Sequence, residues 1–216
     1  VDMSGSMHSV WDATIDGINE YVNGHKSLAN CDYSLTLFDD VVETPVVAMP
    51  VAEVPLLTKQ VYKPRGMTAL RDAVGRSIRN VEQLSKPYDK VLFVIMTDGG
   101  ENSSREYKDQ STLNSLIQEK RRAGWEFIFL GANQDAWSVG QTYGFSNAYN
   151  YSSTVTGSAN MFSTLTRSSV GYAGTATASV APDGRRTVNY ASTNSAFKDL
   201  SNLVDTDIDN NTNGPV

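Results

Sequence analysis

The sequence predicts a doubly wound α/β domain: a mostly parallel sheet with one antiparallel edge strand, and helices on both faces. Three patterns carry this expectation. Apolar, strand-like runs alternate with stretches of helical period through the first part of the chain, the signature of a parallel sheet built from crossover units. Residues 90–97 form a near-continuous apolar run, as expected of a strand covered on both faces. Pro45, Pro50 and Pro55 punctuate one return strand and the segment after it, and proline is confined to sheet edges and bulges.

The chain opens Val1-Asp2-Met3-Ser4-Gly5-Ser6-Met7. It starts without Met at what reads as the last residue of a strand, so a truncated first strand and an N-terminus further upstream are expected. Alternate residues of an extended segment point the same way. Asp2, Ser4 and Ser6 therefore converge once Gly5 lets the backbone tighten into a loop. Three small oxygen donors on one side of a loop suit a hard cation such as Mg²⁺.

Residues 8–29 predict an amphipathic helix, with Trp11, Ile15, Ile18 and Val22 on one face and Asp12, Asp16 and Glu20 outside it. His8 and His25 lie far apart on this stretch and are expected at the surface rather than as zinc ligands. Residues 31–38 alternate and are rich in strand formers. Asp39-Asp40 makes a tight turn, for which turn chemistry is a cheaper explanation than acid–base catalysis. Residues 41–49 return as the edge strand of a hairpin. The single cysteine, Cys31, excludes an internal disulfide and a Cys-based zinc cluster. It is expected to begin the strand as a small buried hydrophobe. A lone thiol is compatible with a reducing compartment, which favours the cytoplasm.

Residues 59–66 form a loop that delivers Thr68, which either caps the following helix or points its hydroxyl toward the Asp2 loop. That helix runs to about Leu84 with Leu70, Val74, Ile78 and Val81 inward. After the strand at 90–97, Asp98 and a loop through Gly99-Gly100-Glu101-Asn102 lead to a helix at 107–123, with Leu113, Leu116 and Ile117 inward. Its end, Lys120-Arg121-Arg122, reads as a solvated helix terminus favoured by the helix dipole. Residues 125–130 are another buried strand. Residues 131–135 turn into a short helix carrying Ala136, Val139 and Tyr143. Residues 148–151 form a last strand, and 156–170 a last helix with Met161, Phe162 and Leu165 buried. Beyond Gly171 the composition shifts to Ala, Thr, Ser and Asn. There, Pro182-Asp183-Gly184 forms a turn between two weak strands. Residues 195–204 suggest a short helix with Phe197, Leu200 and Leu203. The run Asp205-Thr206-Asp207-Ile208-Asp209 lacks the glycine and closing Glu of a calcium loop and reads as part of a polar, disordered end.

Asp2-x-Ser4-x-Ser6 resembles the opening of a metal-ion-dependent adhesion site in a von Willebrand factor type A (vWA) domain. Gly66-Met67-Thr68-Ala69-Leu70 matches the family's threonine loop, and the strand ending Thr97-Asp98-Gly99 matches its T-D-G signature. The pieces come in family order and spacing. The resemblance covers residues 1–170, leaving 171–216 as a polar C-terminal extension, partly disordered. The D-M-S-G-S-M form is more similar to bacterial or phage-type members than to animal adhesion receptors. The resemblance implies a Rossmann-like fold with its site at the topological switch point of the sheet. It also implies that Asp2, Ser4, Ser6, Thr68 and Asp98 hold Mg²⁺ (or Mn²⁺ or Ca²⁺), some through water. An exchangeable coordination position would then accept the Asp or Glu of a protein partner.

Composition narrows the alternatives. Net charge is −6 and the pI about 4.9, and no basic cluster marks a nucleic-acid footprint. No run approaches the ~18 apolar residues of a membrane span. The chain has no P-loop, G-x-S-x-G elbow or H-E-x-x-H, so no enzyme is expected. Metal-assisted phosphoryl or ester hydrolysis remains the enzymatic alternative. A structural or assembly role, in which a metal only stiffens the loops, is the other.

Overall fold

The computed structural model describes residues 1–85, 90–132, 136–145, 147–175, 177–180, 186–189 and 193–203. Its sheet is assembled around the first three residues. The Asp2 N–H donates to the Met96 carbonyl at 2.8 Å, and the Met3 N–H donates to the Phe38 carbonyl at 2.6 Å. The Phe38 N–H returns a bond to the Val1 carbonyl at 3.1 Å, and Asp2 bridges Phe38 in parallel. On one side lies β1 (Asp32–Phe38), paired antiparallel with β2 (Val42–Pro50). On the other lies β3 (Leu92–Thr97), parallel to β4 (Glu126–Ala132), which is parallel to β5 (Asn147–Tyr151). The N-terminal residues thus join the hairpin to the parallel sheet. Among the described residues β2 pairs only with β1, so its prolines sit on an edge as expected.

Side chains alternate across a strand, and on β4 this divides the core in two. Phe127 and Phe129 face a cluster with α2 (Leu70–Leu84) and α3 (Gln110–Arg122). Ile128 and Leu130 face a cluster with α1 (Trp11–His25) and α5 (Val155–Gly174). Helices therefore cover both faces, which is why β4 is apolar from Phe127 onward. It runs two residues beyond the predicted end, because Gly131 and Ala132 pair with Asn150 and Tyr151 of β5. The short helix α4 is Ala136–Thr142. The predicted inward residues of α1, α2, α3 and α5 are buried, with Trp11 and Val81 partly so. α1 is shorter than predicted because a 3₁₀ turn, Gly5–Val10, occupies its start. α1 and α5 pack closely at Gly17, where a Cβ would lie 2.0 Å from the Phe162 ring.

Three expectations about burial give way. Lys120 is buried beside Trp125, its ammonium paired with Glu82 and with Glu119. The long side chain lies along apolar surface with its charge compensated, so only part of the basic run is a solvated helix end. His25 is buried as well. Its Nδ1 lies 2.7 Å from the Tyr21 carbonyl and its Nε2 2.9 Å from Ser169 Oγ on α5. His8 is exposed as expected. Cys31 lies just before β1 and is half-buried rather than buried.

α5 continues past the composition shift to Gly174, started by Thr154, whose Oγ1 accepts the Gly157 N–H at 3.0 Å. Beyond it, β6 (Thr177–Val180) and β7 (Arg186–Asn189) form an antiparallel hairpin. A short helix α6 (Thr193–Ala196) and a 3₁₀ turn, Lys198–Asn202, come next. Phe197, Leu200 and Leu203 are buried in the α1–α5 cluster. The turn expected at 182–184 and the acidic run at 205–209, with the end expected to be disordered, lie outside the described residues. Among the described residues no helix is long and apolar enough to cross a membrane.

Two stability outcomes are expected from this packing. Phe129 is fully buried and stacks on Phe145 with ring centroids 5.6 Å apart. Phe129→Ala is expected to cost about 3–5 kcal/mol, measured by urea denaturation. Burial lowers the pKa of His25, opposed by the Tyr21 carbonyl. The unfolded chain then binds the extra proton first, at about pH 6.5, so stability falls as pH drops through that value. Melting temperatures measured between about pH 7.5 and 5.5 should fall, and His25→Gln should flatten the decline. An unchanged slope in the variant removes His25 as its origin.

Candidate functional site

The candidate residues meet where the N-terminal segment and β3 end side by side. Asp2 is fully buried, and both its carboxylate oxygens are fixed. Oδ1 accepts the Ser4 N–H at 2.7 Å, and Oδ2 accepts the Thr97 hydroxyl at 2.6 Å. The Tyr62 hydroxyl donates to the Asp2 carbonyl at 2.9 Å from below. Ser4 and Ser6 present their hydroxyl oxygens 3.0 Å apart, and Ser6 Oγ donates to Asp98 Oδ1 at 2.6 Å. Asp2 and Ser4 end the extended segment, while Ser6 sits in the 3₁₀ turn Gly5–Val10. It is this turn, not strand alternation, that brings Ser6 into one bonded chain with Asp2 and Ser4 ending on Asp98.

Thr68 arrives from a separate loop. Gly66 turns that loop at φ +65°, a conformation that favours glycine, and the Gly66 carbonyl accepts the Gly5 N–H at 3.3 Å. Arg65 anchors it further, donating through its backbone to Met3 and through Nε to buried Asp39 at 2.6 Å. Asp39 also accepts the Val41 N–H at 2.7 Å, closing the hairpin turn. Thr68 does not cap α2: Ala69 holds that position and offers no side-chain bond. Instead its hydroxyl faces Gly99. A Cβ on Gly99 would lie 3.5 Å from Thr68 Oγ1 and 3.8 Å from Ser6 Oγ. All five predicted residues therefore lie around one point. Sequence reading missed Thr97 and Tyr62 as the groups that orient Asp2. The position of Thr97, directly before Asp98 at a strand end, was the available signal for one of them.

Electrostatics favour a cation here. Burial raises the Asp98 carboxyl above its usual range; the Ser6 hydrogen bond opposes this, and the charge of Asp2 adds to it. The Tyr151 hydroxyl is buried without a hydrogen-bond partner among the described residues, within electrostatic reach of Asp98 and Asp2. Two neighbouring carboxylates with partly uncompensated charge favour a positive ion between them. Among the described residues no group of three or more His, Cys, Asp or Glu could hold a metal. This cluster instead combines two carboxylates with the hydroxyls of Ser4, Ser6 and Thr68. An all-oxygen set of that kind fits a hard divalent cation.

Solved structures share the arrangement of strands and helices. Proximal thread matrix protein 1 from the mussel byssus matches with a TM-score of 0.57 at 13% identity, over 83% of this chain and 47% of that one. A second structure of it, described as having a zinc-occupied MIDAS motif, matches with a TM-score of 0.57 at 15% identity over the same shares, 83% and 47%. A von Willebrand factor type A protein from Catenulispora acidiphila matches with a TM-score of 0.52 at 15% identity, over 83% of this chain and 42% of that one. The fold is that of a von Willebrand factor type A domain. At these identities the likeness is one of fold. The vWA-fold chain spans less than half the length of these structures. No family model and no curated protein matches it.

If the oxygen cluster of this vWA fold holds a metal, Mg²⁺ should raise the melting temperature. Binding to the native state alone contributes about 2.7 kcal/mol at a hundredfold excess over Kd. Asp98→Ala should abolish that rise and change the melting temperature in chelator much less. An equal Mg²⁺ response in both proteins would count against ligation by Asp98.

Proposed function

We propose that this domain is a metal-dependent protein-binding module that captures an acidic side chain of its partner. The observation that carries the proposal is the Ser6–Asp98 hydrogen bond, at 2.6 Å between loops 92 residues apart. It brings the hydroxyl loop and the strand-end carboxylate to one point. Asp2 and Asp98 would offset the charge of the ion, while Ser4, Ser6 and Thr68 would supply neutral oxygens, directly or through water. When bound, a Mg²⁺-type cation (Mg²⁺, Mn²⁺ or Ca²⁺) supplies an electrophilic position that a partner's Asp or Glu can fill. Ser6 and Met67 are exposed and would form part of the rim that the partner covers.

In this reading the sheet is doubly wound, with the site at its switch point. The N-terminal segment leads to α1 on one face, and the adjacent β3 leads to α3 on the other. The zinc-occupied MIDAS motif of the mussel byssus structure supports divalent metal binding in this fold. The domain is proposed to be a binder and not an enzyme, with a protein and not a nucleic acid as its partner.

The test is a pull-down in Mg²⁺ and in chelator, followed by affinity measurement with the captured protein. Substituting the partner's coordinating Asp or Glu is expected to cost about 2–5 kcal/mol, the usual penalty for truncating one side of a buried charge pair. Thr68→Ala should produce a comparable loss. Binding indifferent to chelator would replace this reading with the structural one. Phosphoester or peptide turnover that disappears in Asp98→Ala would replace it with the hydrolase.

A further inference from the structure

Helix α2 starts without a side-chain cap of its own, since Ala69 stands at the cap position. A helix start leaves backbone N–H groups without intrahelical partners. Here the loop after Asp98 supplies acceptors for two of them, on Arg71 and Asp72, and for the Thr68 N–H just ahead of the cap position. Asn102 Oδ1 accepts the Thr68 N–H at 2.8 Å, Glu101 Oε2 accepts the Arg71 N–H at 2.8 Å, and Ser104 Oγ accepts the Asp72 N–H at 3.0 Å. The Thr68 carbonyl in turn accepts the N–H groups of Asn102 and Ser103 at 3.0 and 3.2 Å. Thr68 and Asn102 are therefore bonded in both directions through their backbones and one side chain.

Two carboxylates lock the arrangement. Glu101 Oε1 accepts the N–H groups of Ser103 and Ser104 at 3.0 and 2.7 Å, while its Oε2 reaches α2. Asp72, in the first turn of α2 and buried, accepts the N–H groups of Arg105, Glu106 and Tyr107 at 2.8–3.2 Å. Those three bonds hold its carboxyl below the usual range against the opposing effect of burial, which is the largest single influence. The loop carrying Asp98 and the helix start carrying Thr68 are thus one bonded unit.

We infer that Asn102 and Glu101 are positioning residues of the candidate metal cluster: by tying Thr68 and the first turn of α2 to the loop after Asp98 they set the separation of the Thr68 hydroxyl from the Asp98 carboxylate. The inference rests on the metal-binding reading above. Its physical reason is geometric tolerance. Oxygen ligands of Mg²⁺ must sit within a few tenths of an ångström of about 2.1 Å, and two loops with independent motion cannot keep that distance. Asn102 acts directly on the backbone of Thr68, and Glu101 acts three residues further along on Arg71. Neither is proposed as a ligand.

The test is calorimetric titration of the chain with Mn²⁺, together with melting temperatures in chelator. Asn102→Ala is expected to weaken Mn²⁺ binding by about 10–100-fold, the range for outer partners of metal ligands. Because Asn102 acts through Thr68, its removal should cost little further affinity in a Thr68→Ala background. A purely structural role would lower the melting temperature in chelator and leave Mn²⁺ affinity unchanged, which overturns the inference. Equal losses of affinity in both backgrounds overturn it too, since Asn102 would then act independently of Thr68. Should Asn102→Ala fail to fold, Glu101→Gln, which keeps one acceptor oxygen, is measured in the same cycle with the same criteria. Wild-type protein that takes up no Mn²⁺ would remove the metal reading itself. That outcome is distinct from tight wild-type binding left unaltered by both variants.

Discussion

The structure depends on the backbone hydrogen bonds of its first three residues. Asp2 and Met3 bond in opposite directions, one to β3 and the other to β1. Without them the hairpin and the parallel sheet would each present an open edge, with unpaired N–H and C=O groups that carry a cost when buried. The same backbone places Asp2 beside the end of β3. One short extended segment therefore closes the sheet and carries the first residue of the candidate site. The Val1 nitrogen donates to the Thr36 carbonyl at 2.8 Å, which adds a further bond to β1.

Around that segment the polar groups form two tiers. The upper tier is the oxygen cluster of Asp2, Ser4, Ser6, Thr68 and Asp98. The lower one consists of groups that hold those oxygens in place: Thr97 and Tyr62 for Asp2, Asn102 for Thr68, and Arg65 with Asp39 for the threonine loop. The lower groups come from β3, the loop ahead of α2, the loop after Asp98 and the hairpin turn. Sites whose ligands are oriented by a bonded second layer keep their geometry with little reorganisation. The Asp39-Asp40 turn acquires its role in this way. Asp39 closes the hairpin and, through Arg65, steadies the loop that delivers Thr68.

The periodic parts of the chain were legible because they report burial directly. Ile15, Ile18 and Val22 of α1, and the unbroken apolar run of β4, fall on the faces that the pattern assigned. Ends were less legible where pairing decided them. Gly131 and Ala132 read as a turn, yet they extend β4 because β5 lies alongside. Single charged residues were the least legible. Lys120 and His25 carry no periodic signal that separates a solvated group from a buried one. Their burial depends on Glu82, Trp125, Ser169 and Tyr21, of which Glu82 and Ser169 are distant in sequence.

The sequence by itself determined the α/β class, the edge placement of the proline-bearing strand and which oxygen-bearing residues are candidates for the site. Each of these is written in local spacing: the alternation of Asp2, Ser4 and Ser6, the helical period after Thr68, and the strand ahead of Asp98. Only the tertiary structure decided that Thr68 faces Gly99 instead of capping its helix, and that the first-turn N–H groups are capped by Glu101 and Ser104 while Asn102 holds the Thr68 N–H. It also decided that the core takes in Phe197, Leu200 and Leu203 beyond the composition shift. The physical reason is common to these cases. A backbone N–H at a helix start, or an apolar side chain in a polar stretch, is satisfied by whichever group the fold brings near. That group can lie tens of residues away, where no local pattern records it.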